Sequence, residues 1–362
     1  MGREHLSTWE IVCTLSLITL TPVLISFPQY SSREFGNAAV LHSVYLAIVV
    51  FIFYLIILKL YEPFAGKDIM DIAEIVGGKP LKIIMSIAVI LYTFAMMIFT
   101  MQEFGEDIKD VMFNHSTNAE INILFTIGMA FLGYFGIRGV FRLGTYLFPA
   151  IVIGFGLMFY SLSSKIDFIN LTPVLGTGAS TVFLKGLTQV GIYNSLSIML
   201  VIAPLAKHFK KATLFSVLST SLVIILSLFL LATIIPYPSL NQKNFAIFEL
   251  TRYIGFGRFF QRLDAVFTFF WIMTCFVFLG VLLIVNFIML KKAFNLKYPG
   301  RLIPCVSLII FTSCNLVPSN AVSSIARDFM YVSLSPYSLF LYPLILLLLA
   351  RLKVSGRKKQ DG

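Results

Sequence analysis

Long apolar runs separated by short polar segments recur along the whole chain. A helix that spans a bilayer needs roughly 20 mostly apolar residues, at about 1.5 Å of rise for each residue. The pattern therefore predicts about ten transmembrane helices and an all-α integral membrane protein. The predicted spans are 9–28, 38–59, 82–104, 121–137, 143–162, 184–205, 212–236, 262–290, 302–318 and 329–350.

An even number of spans places both termini on the same side of the membrane. The spans divide into two halves with an odd number of helices each, so the second half enters the membrane from the opposite side. This is the topology of an inverted repeat. We therefore predict a five-plus-five, leucine-transporter-like arrangement, with repeat one at about 9–162, repeat two at about 184–350 and a basic cytoplasmic tail at 351–362.

Composition supports lipid as the solvent, because 58% of residues are hydrophobic and only 12% are charged. A soluble domain carries about 25% charged residues. The net charge of +11 raises the possibility of a nucleic-acid partner, but 19 of the 28 basic residues fall on one predicted side of the membrane. The positive-inside rule accounts for that asymmetry. We predict both termini in the cytoplasm, contacts between the basic tail and membrane lipids, and no nucleic-acid partner.

Candidate chemistry is sparse. The cysteines lie in or beside apolar spans without a Cys-x-x-Cys pair, so we interpret them as packing residues and predict no metal and no cofactor. No nucleophile elbow, zinc-protease motif or phosphate loop is present, so we predict that the protein is not an enzyme. Span interiors contain almost no ionisable residues, which argues against a proton-driven pump with a buried carboxylate. Sodium coupling through neutral oxygens stays open.

Potential helix breaks occur in the first span of each half. Helix 1 contains Thr21-Pro22, and helix 6 contains glycines around Tyr193-Asn194-Ser195. Transporter folds bind their substrates near the midplane where such helices are broken, because freed backbone groups need partners. The alternative is that these residues are ordinary kinks and packing points. The residues predicted to line or approach a ligand are Thr21, Pro22, Tyr92, Met96, Tyr193, Asn194, Ser195 and Thr274.

Charged residues at the predicted outer rim form a second candidate group. Glu106 lies near the end of helix 3, and Arg262 and Asp264 lie at the start of helix 8. Charges at the lipid boundary reach headgroups or partners easily, so a solvated helix end is the simpler interpretation. The functional interpretation is a gate or an assembly contact with partner subunits.

Three stretches carry a family resemblance. They are Phe141-Arg-Leu-Gly-Thr-Tyr-Leu-Phe-Pro149, Phe168-Ile-Asn-Leu-Thr-Pro-Val-Leu-Gly-Thr-Gly178 and Gln261-Arg-Leu-Asp-Ala-Val-Phe-Thr-Phe-Phe-Trp-Ile272. The chain resembles the B subunits of spore germinant receptors, the endospore germination permease family of the amino acid–polyamine–organocation superfamily. The resemblance covers nearly the whole chain.

The resemblance implies a nutrient-sensing, transporter-like subunit that binds a small nutrient, such as an amino acid, and triggers spore germination. It also implies an A subunit and a lipoprotein C subunit as partners in the spore inner membrane. The alternative is a secondary active transporter of amino acids or related small molecules in the bacterial cell membrane. The chain departs from the family at helix 1, where Thr21-Pro22-Val23 replaces a Gly-x-Gly break, and at 194–198, which lacks an acidic residue. These departures allow a different nutrient.

Overall fold

Helices form the regular structure of the computed structural model, which describes residues 5–25, 27–113, 115–240, 246–252, 263–317 and 329–360. A 3₁₀ helix at Lys185–Ser197 precedes α7, and π-helical turns at Phe329–Leu334 and Tyr337–Leu341 precede α13. The α-helices, numbered along the chain, are α1 Thr8–Ile25, α2 Phe27–Phe35, α3 Ala39–Tyr61, α4 Ile69–Met112, α5 Asn118–Leu162, α6 Ala179–Phe183, α7 Ile198–Ile202, α8 Phe209–Ile234, α9 Tyr237–Leu240, α10 Ala246–Arg252, α11 Leu263–Phe294, α12 Ile303–Leu316 and α13 Tyr342–Gln360.

The described helices have the length and composition of membrane spans. Six stretches are long and apolar enough to cross a bilayer, and two shorter apolar helices accompany them at Thr8–Leu24 and Gly300–Leu316. Large apolar side chains such as Leu91 and Ile153 face outward, with 66% and 63% of their surface exposed. Lipid is the solvent for such a surface. The prediction of an all-α membrane protein is confirmed, whereas the number of crossings and the inverted repeat stay predictions.

Glycines interrupt the two longest helices. A straight helix the length of α5 would extend about 68 Å, twice the hydrocarbon thickness of about 30 Å. Gly136 breaks α5 with a φ of 66°, and it separates the predicted spans 121–137 and 143–162. Gly77 and Gly78 break α4 in the same way, with a φ of 71° at Gly78. A positive φ favours glycine, because a Cβ atom would be strained there.

The sixth and eighth predicted spans occupy the centre of the molecule. In both Ala179–Leu205 and α11, 78% of the most apolar window is buried, against 28% in α4 and in α5. α11 packs on α1, α4 and α5, and the 3₁₀ helix packs on α1 and α3. A central position for these two spans places them where a mid-membrane ligand would have to bind.

The loops predicted to be cytoplasmic meet at one end of the bundle. Near the N-terminus, Leu6 N donates to the Leu205 carbonyl at 2.7 Å, and Lys207 N donates to the Leu6 carbonyl at 3.2 Å. From α13, Arg351 donates to the last carbonyls of α3, including that of Leu60 at 3.2 Å, which caps this helix end. The segments therefore share one end of the molecule. Which compartment this end faces stays a prediction.

Candidate functional site

A hydroxyl from the 3₁₀ helix replaces the hydrogen bond that the proline inside α1 removes. Because Pro22 has no backbone N–H, the carbonyl of Ile18, one turn earlier, loses its helical donor. Ser195 Oγ donates to that carbonyl at 3.4 Å. On the neighbouring residue, Thr21 Oγ1 donates to the carbonyl of Thr274 in α11 at 3.4 Å. These predicted ligand residues do meet, but their hydrogen bonds join the helices to one another.

The two predicted breaks take different forms. α1 remains helical through Pro22 as far as Ile25, so Thr21-Pro22 does not interrupt the helix. In the sixth span, 13 residues form a 3₁₀ helix, whereas runs longer than three or four residues are uncommon. Three residues per turn place Asn194 and Ser197 on the same side of this helix. The unusual geometry therefore covers the whole stretch Lys185–Ser197, which includes Asn194.

Asn194 connects three separate parts of the chain through neutral hydrogen bonds. Its Nδ2 donates to the Tyr92 hydroxyl of α4. Its Oδ1 accepts a hydrogen bond of 2.8 Å from Ser338 Oγ. The Tyr92 hydroxyl also lies 2.9 Å from Ser335 Oγ. We call Tyr92, Asn194, Ser335 and Ser338 the Asn194 network; it joins α4, the 3₁₀ helix and the π-helical stretch before α13.

The two serines of this network were not among the residues predicted from the sequence. Ser335 and Ser338 lie in the tenth predicted span, which appeared to be an ordinary apolar helix. The available signal was the pair of serines around Pro336, since a proline inside a span frees a backbone group that needs a polar partner. π-helical turns, which flank Ser335, are rare and are frequent at functional sites.

A second missed group lies beside the network. Thr93, the residue after Tyr92, donates through Oγ1 to Asn286 Oδ1 in α11 at 3.0 Å. Asn286 Nδ2 donates in turn to the Leu282 carbonyl at 3.0 Å. The signal was a lone asparagine inside the most apolar part of a span, where a polar side chain requires a partner. This pair links α4 to α11 next to the Asn194 network.

A cavity of about 300 Å³ adjoins both groups. Tyr92, Thr93 and Ser338 supply polar atoms to its wall, and Tyr342 of α13 lines it as well. Among the described residues that line this cavity there is no Asp, Glu, Lys, Arg or His. The volume lies at the lower end of the range for small-molecule pockets. The wall is mostly apolar with a few hydroxyl groups, which is typical of such sites.

The remaining predicted ligand residues lie away from the cavity. Met96 is buried among apolar neighbours, in the core that surrounds α4. Tyr193 is completely buried, and its hydroxyl donates to Ser221 Oγ of α8 at 3.0 Å. Tyr193 therefore contacts α8, on a different side of the 3₁₀ helix from Asn194. Of the predicted ligand residues, Tyr92 lines the cavity and Asn194 bonds to two residues that do.

The predicted outer rim is only partly covered by the described residues. Glu106 is half-buried in α4 and lies close enough to Cys314 of α12 to interact with it electrostatically. Arg262 lies outside the described residues. Asp264 belongs to the first turn of α11, and its side chain is likewise outside the described part. The pairing of these residues as a gate or assembly contact stays a prediction.

Charged side chains cluster where α4 begins, at the end that is predicted to be cytoplasmic. Asp68 caps α4 by accepting hydrogen bonds of 3.0 Å from the N–H groups of Met70 and Asp71. Lys292, at the end of α11, forms ion pairs with Asp68 and, at 2.7 Å, with Asp71. Burial raises the pKa of the Asp68 carboxyl above its ordinary value, and Lys292 acts against that shift.

The cluster also extends across the glycine kink of α4. Lys82, beyond Gly77 and Gly78, pairs with Glu74 at 2.7 Å. We call Asp68, Asp71, Glu74, Lys82 and Lys292 the Asp68 cluster. The association of these residues was not predicted from the sequence, and it fixes the first turns of α4 against α11.

Comparisons with known proteins address the biological role. A family model described as spore germination protein matches residues 5–324. This chain belongs to the spore germination protein family. It is also similar to spore germination protein KB of Bacillus subtilis (strain 168), with 23% identity over 373 residues that cover 100% of this chain and 99% of the relative. The recognition of this family from sequence motifs is therefore confirmed.

The motifs that resemble other members of the spore germination protein family build packing contacts. Thr14 Oγ1 donates to the carbonyl of Phe141 at 3.2 Å, and a Cβ on Gly144 would approach Thr14 Oγ1 to 2.4 Å. In the segment between α5 and α6, Gly176 has a φ of 47°, and a Cβ there would lie 2.1 Å from the Phe35 carbonyl oxygen. These glycines permit close approach of α1 to α5 and of that segment to α2.

The third motif packs α11 against α4. Trp271 is almost completely buried, and its ring centroid lies 4.8 Å from that of Phe104. None of the residues that line the cavity belongs to the three motifs, as far as the described chain shows. Family membership therefore rests on the helical scaffold, and the ligand of this member has to be inferred from its own cavity.

Proposed function

We propose that this chain is the nutrient-sensing, transporter-like subunit of a spore germinant receptor. In this proposal a small nutrient binds in the cavity beside the Asn194 network, and its binding triggers germination. The observation that supports the proposal is the network itself, which joins three segments around a cavity of suitable size. Membership of the spore germination protein family supplies the biological process.

The network offers a physical route from binding to a signal. Hydrogen bonds between neutral groups in membranes contribute only about 0.6–2 kcal/mol each. A ligand hydroxyl or amide can therefore exchange with the Ser338 or Tyr92 hydroxyl at small net cost. Such exchange would alter how the π-helical stretch contacts α4 and the 3₁₀ helix. A ligand that binds one arrangement more tightly shifts the population toward it.

The substitution Asn194→Leu tests the ligand site directly. It removes both the donor to Tyr92 and the acceptor for Ser338. We expect the nutrient concentration for half-maximal germination to rise at least about tenfold, with normal protein levels. Thr312→Leu is the control, because the exposed Thr312 hydroxyl donates to the Leu308 and Ile309 carbonyls of its own helix. An unchanged dose response would remove Asn194 from the site.

A secondary active transporter is the competing proposal. The cavity next to Asn194 is also what a transported substrate would occupy, and family membership covers permease-like roles. Uptake of labelled substrate into proteoliposomes, abolished by collapse of an ion gradient, would favour transport. Loss of germination after deletion of the gene, with normal uptake, would favour the receptor. The spore germination family is not an enzyme family, and no catalytic residue is proposed.

Partner subunits give the outer rim its proposed role. We infer an assembly with an A subunit and a lipoprotein C subunit, in which Glu106, Arg262 and Asp264 form a gate or an assembly contact. Germination rates for Glu106→Gln, Arg262→Gln and Asp264→Asn test both roles. Loss of the partner subunits from the membrane indicates assembly, and normal levels with a shifted nutrient response indicate gating. Wild-type rates in all three variants would exclude both.

The protein is an integral membrane protein, and we propose the spore inner membrane with both termini in the cytoplasm. Labelling of single cysteines tests this orientation after Cys305, which is exposed, is replaced by serine. Lys165→Cys and Ser355→Cys should react with an impermeant reagent from opposite sides. Reaction of both from one side would contradict the proposed topology.

A further inference from the structure

Among the described residues, the polar groups that face the cavity are all uncharged. Tyr92, Thr93, Ser197 and Ser338 contribute hydroxyl groups, and the rest of the described wall is largely apolar. Tyr342 adds a buried hydroxyl that has no hydrogen-bond partner within the described chain. A buried polar group without a partner is unfavourable, so a ligand that reached this hydroxyl would gain a hydrogen bond. The cavity can thus hydrogen-bond a neutral group at more than one point.

Nearby charges are already compensated by the protein. Ile69 lines the cavity, and Asp68 immediately precedes it. Asp68 has only 2% of its surface exposed, accepts two backbone N–H groups and pairs with Lys292. Lys292 also binds Asp71. Recruiting either charge to a ligand would break this arrangement and leave a buried ion without its partner.

The backbone at the proline of α1 does not supply the missing charge complement. A broken helix can hold a carboxylate or an ammonium group through freed amides and carbonyls. Here α1 continues through Pro22, and the Ile18 carbonyl, which Pro22 leaves without a donor, accepts the Ser195 hydroxyl. The carbonyl that the proline of α1 leaves free, which could otherwise hold an ammonium group, is therefore used in packing. A charged group in such an environment binds poorly unless it is paired.

We propose that the cavity binds a small uncharged ligand and discriminates against free amino acids, alkylammonium ions and carboxylates. A hydroxyl or primary amide at one end of the ligand would contact Tyr92 and Ser338. An apolar body would lie along Met85, Val89 and Val201. This inference rests on the proposed function for the choice of site, and it assigns the chemical class of the ligand.

Binding of a matched series of six-carbon probes to the purified chain in lipid nanodiscs tests the proposal. The probes are hexanamide, hexylammonium, hexanoate and L-norleucine, which share a chain and differ in charge. We expect saturable binding of hexanamide and affinities at least about 50-fold lower for the three charged probes. Charged probes that bind as tightly as hexanamide would overturn the proposal, as would the absence of saturable hexanamide binding.

Two variants test whether the probe binds in this cavity. Ala88 lines the cavity and is exposed, so Ala88→Phe fills the space without displacing the core. Leu91→Phe is the matched control on the same helix, because the Leu91 side chain is 66% exposed and does not line the cavity. Ala88→Phe should abolish hexanamide binding, and Leu91→Phe should leave it unchanged. Binding that survives Ala88→Phe lies elsewhere, such as the 140 Å³ cavity beside Trp271, and contradicts the proposal.

A third variant keeps the proposal testable if Ala88→Phe fails to fold. Ser338→Ala removes one hydroxyl from the cavity wall and should weaken hexanamide binding about fivefold or more. An unchanged affinity would exclude the assigned polar contact. Germination of a strain without this gene is scored separately. Normal germination of that strain would refute the proposed function, whereas the probe series alone decides the charge of the ligand.

Discussion

The Asn194 network and the Asp68 cluster both connect α4 to other helices, but they do so with different chemistry. The Asn194 network consists of hydroxyl and amide groups, and it adjoins the cavity. The Asp68 cluster consists of carboxylates and ammonium groups at the helix end, where Lys292 keeps 24% of its side-chain surface exposed. The charges of this cluster thus lie at a helix end that water and headgroups can reach, and Lys292 compensates the buried Asp68 carboxylate.

The contrast indicates which connection is able to change during binding. Separation of a largely buried ion pair leaves an uncompensated charge and is strongly unfavourable. Exchange of one neutral hydrogen bond for another changes the free energy little. The Asp68 cluster therefore fixes one end of α4, and the Asn194 network is the part that a ligand can rearrange. Three substitutions test this difference.

The largest expected effect is loss of stability in Lys292→Gln. The substitution leaves Asp68, with 2% of its surface exposed, without its cationic partner. We expect a loss of about 2–4 kcal/mol, somewhat below the value for a fully buried pair because Lys292 is partly exposed. Thermal unfolding of the purified protein in detergent measures it. The neighbouring exposed Lys291→Gln is the control, and equal unfolding temperatures for both variants would show that the cluster does not fix α4.

Ser338→Ala should have an intermediate effect. The substitution removes the 2.8 Å hydrogen bond to Asn194 Oδ1, and Asn194 is 5% exposed. We expect a loss of about 1 kcal/mol, because one neutral acceptor loses its donor in a buried site. Ser163→Ala is the control, since the exposed Ser163 hydroxyl bonds only to the Tyr160 carbonyl nearby. A loss as large as that in Lys292→Gln would contradict the distinction between exchangeable and fixed connections.

Both regions depend on contacts that the sequence pattern predicts poorly. Hydropathy predicts the spans because it is a local property, and the kink of α5 at Gly136 lies near the end of the predicted span 121–137. Asn194 and Ser338 are 144 positions apart, and Lys292 and Asp71 are 221 apart. Nothing local indicates which distant residue becomes the partner. Pro22 illustrates the same limit, since the predicted break is avoided through Ser195, far along the chain.

The smallest effect is expected at the opposite end, where Lys185 and Glu34 form an ion pair. Their 2.7 Å separation is as short as the distance between Lys292 and Asp71, but the Lys185 side chain is 65% exposed. Water and salt screen such a pair, so Lys185→Gln should cost no more than about 0.5 kcal/mol. The thermal unfolding measurement used for Lys292→Gln applies here, at low and at high salt. If burial rather than charge determines the strength of these pairs, Lys185→Gln will unfold like the wild type at both salt concentrations. An effect close to that of Lys292→Gln would show that distance alone sets the strength, and the contrast between the two ends of the molecule would fail.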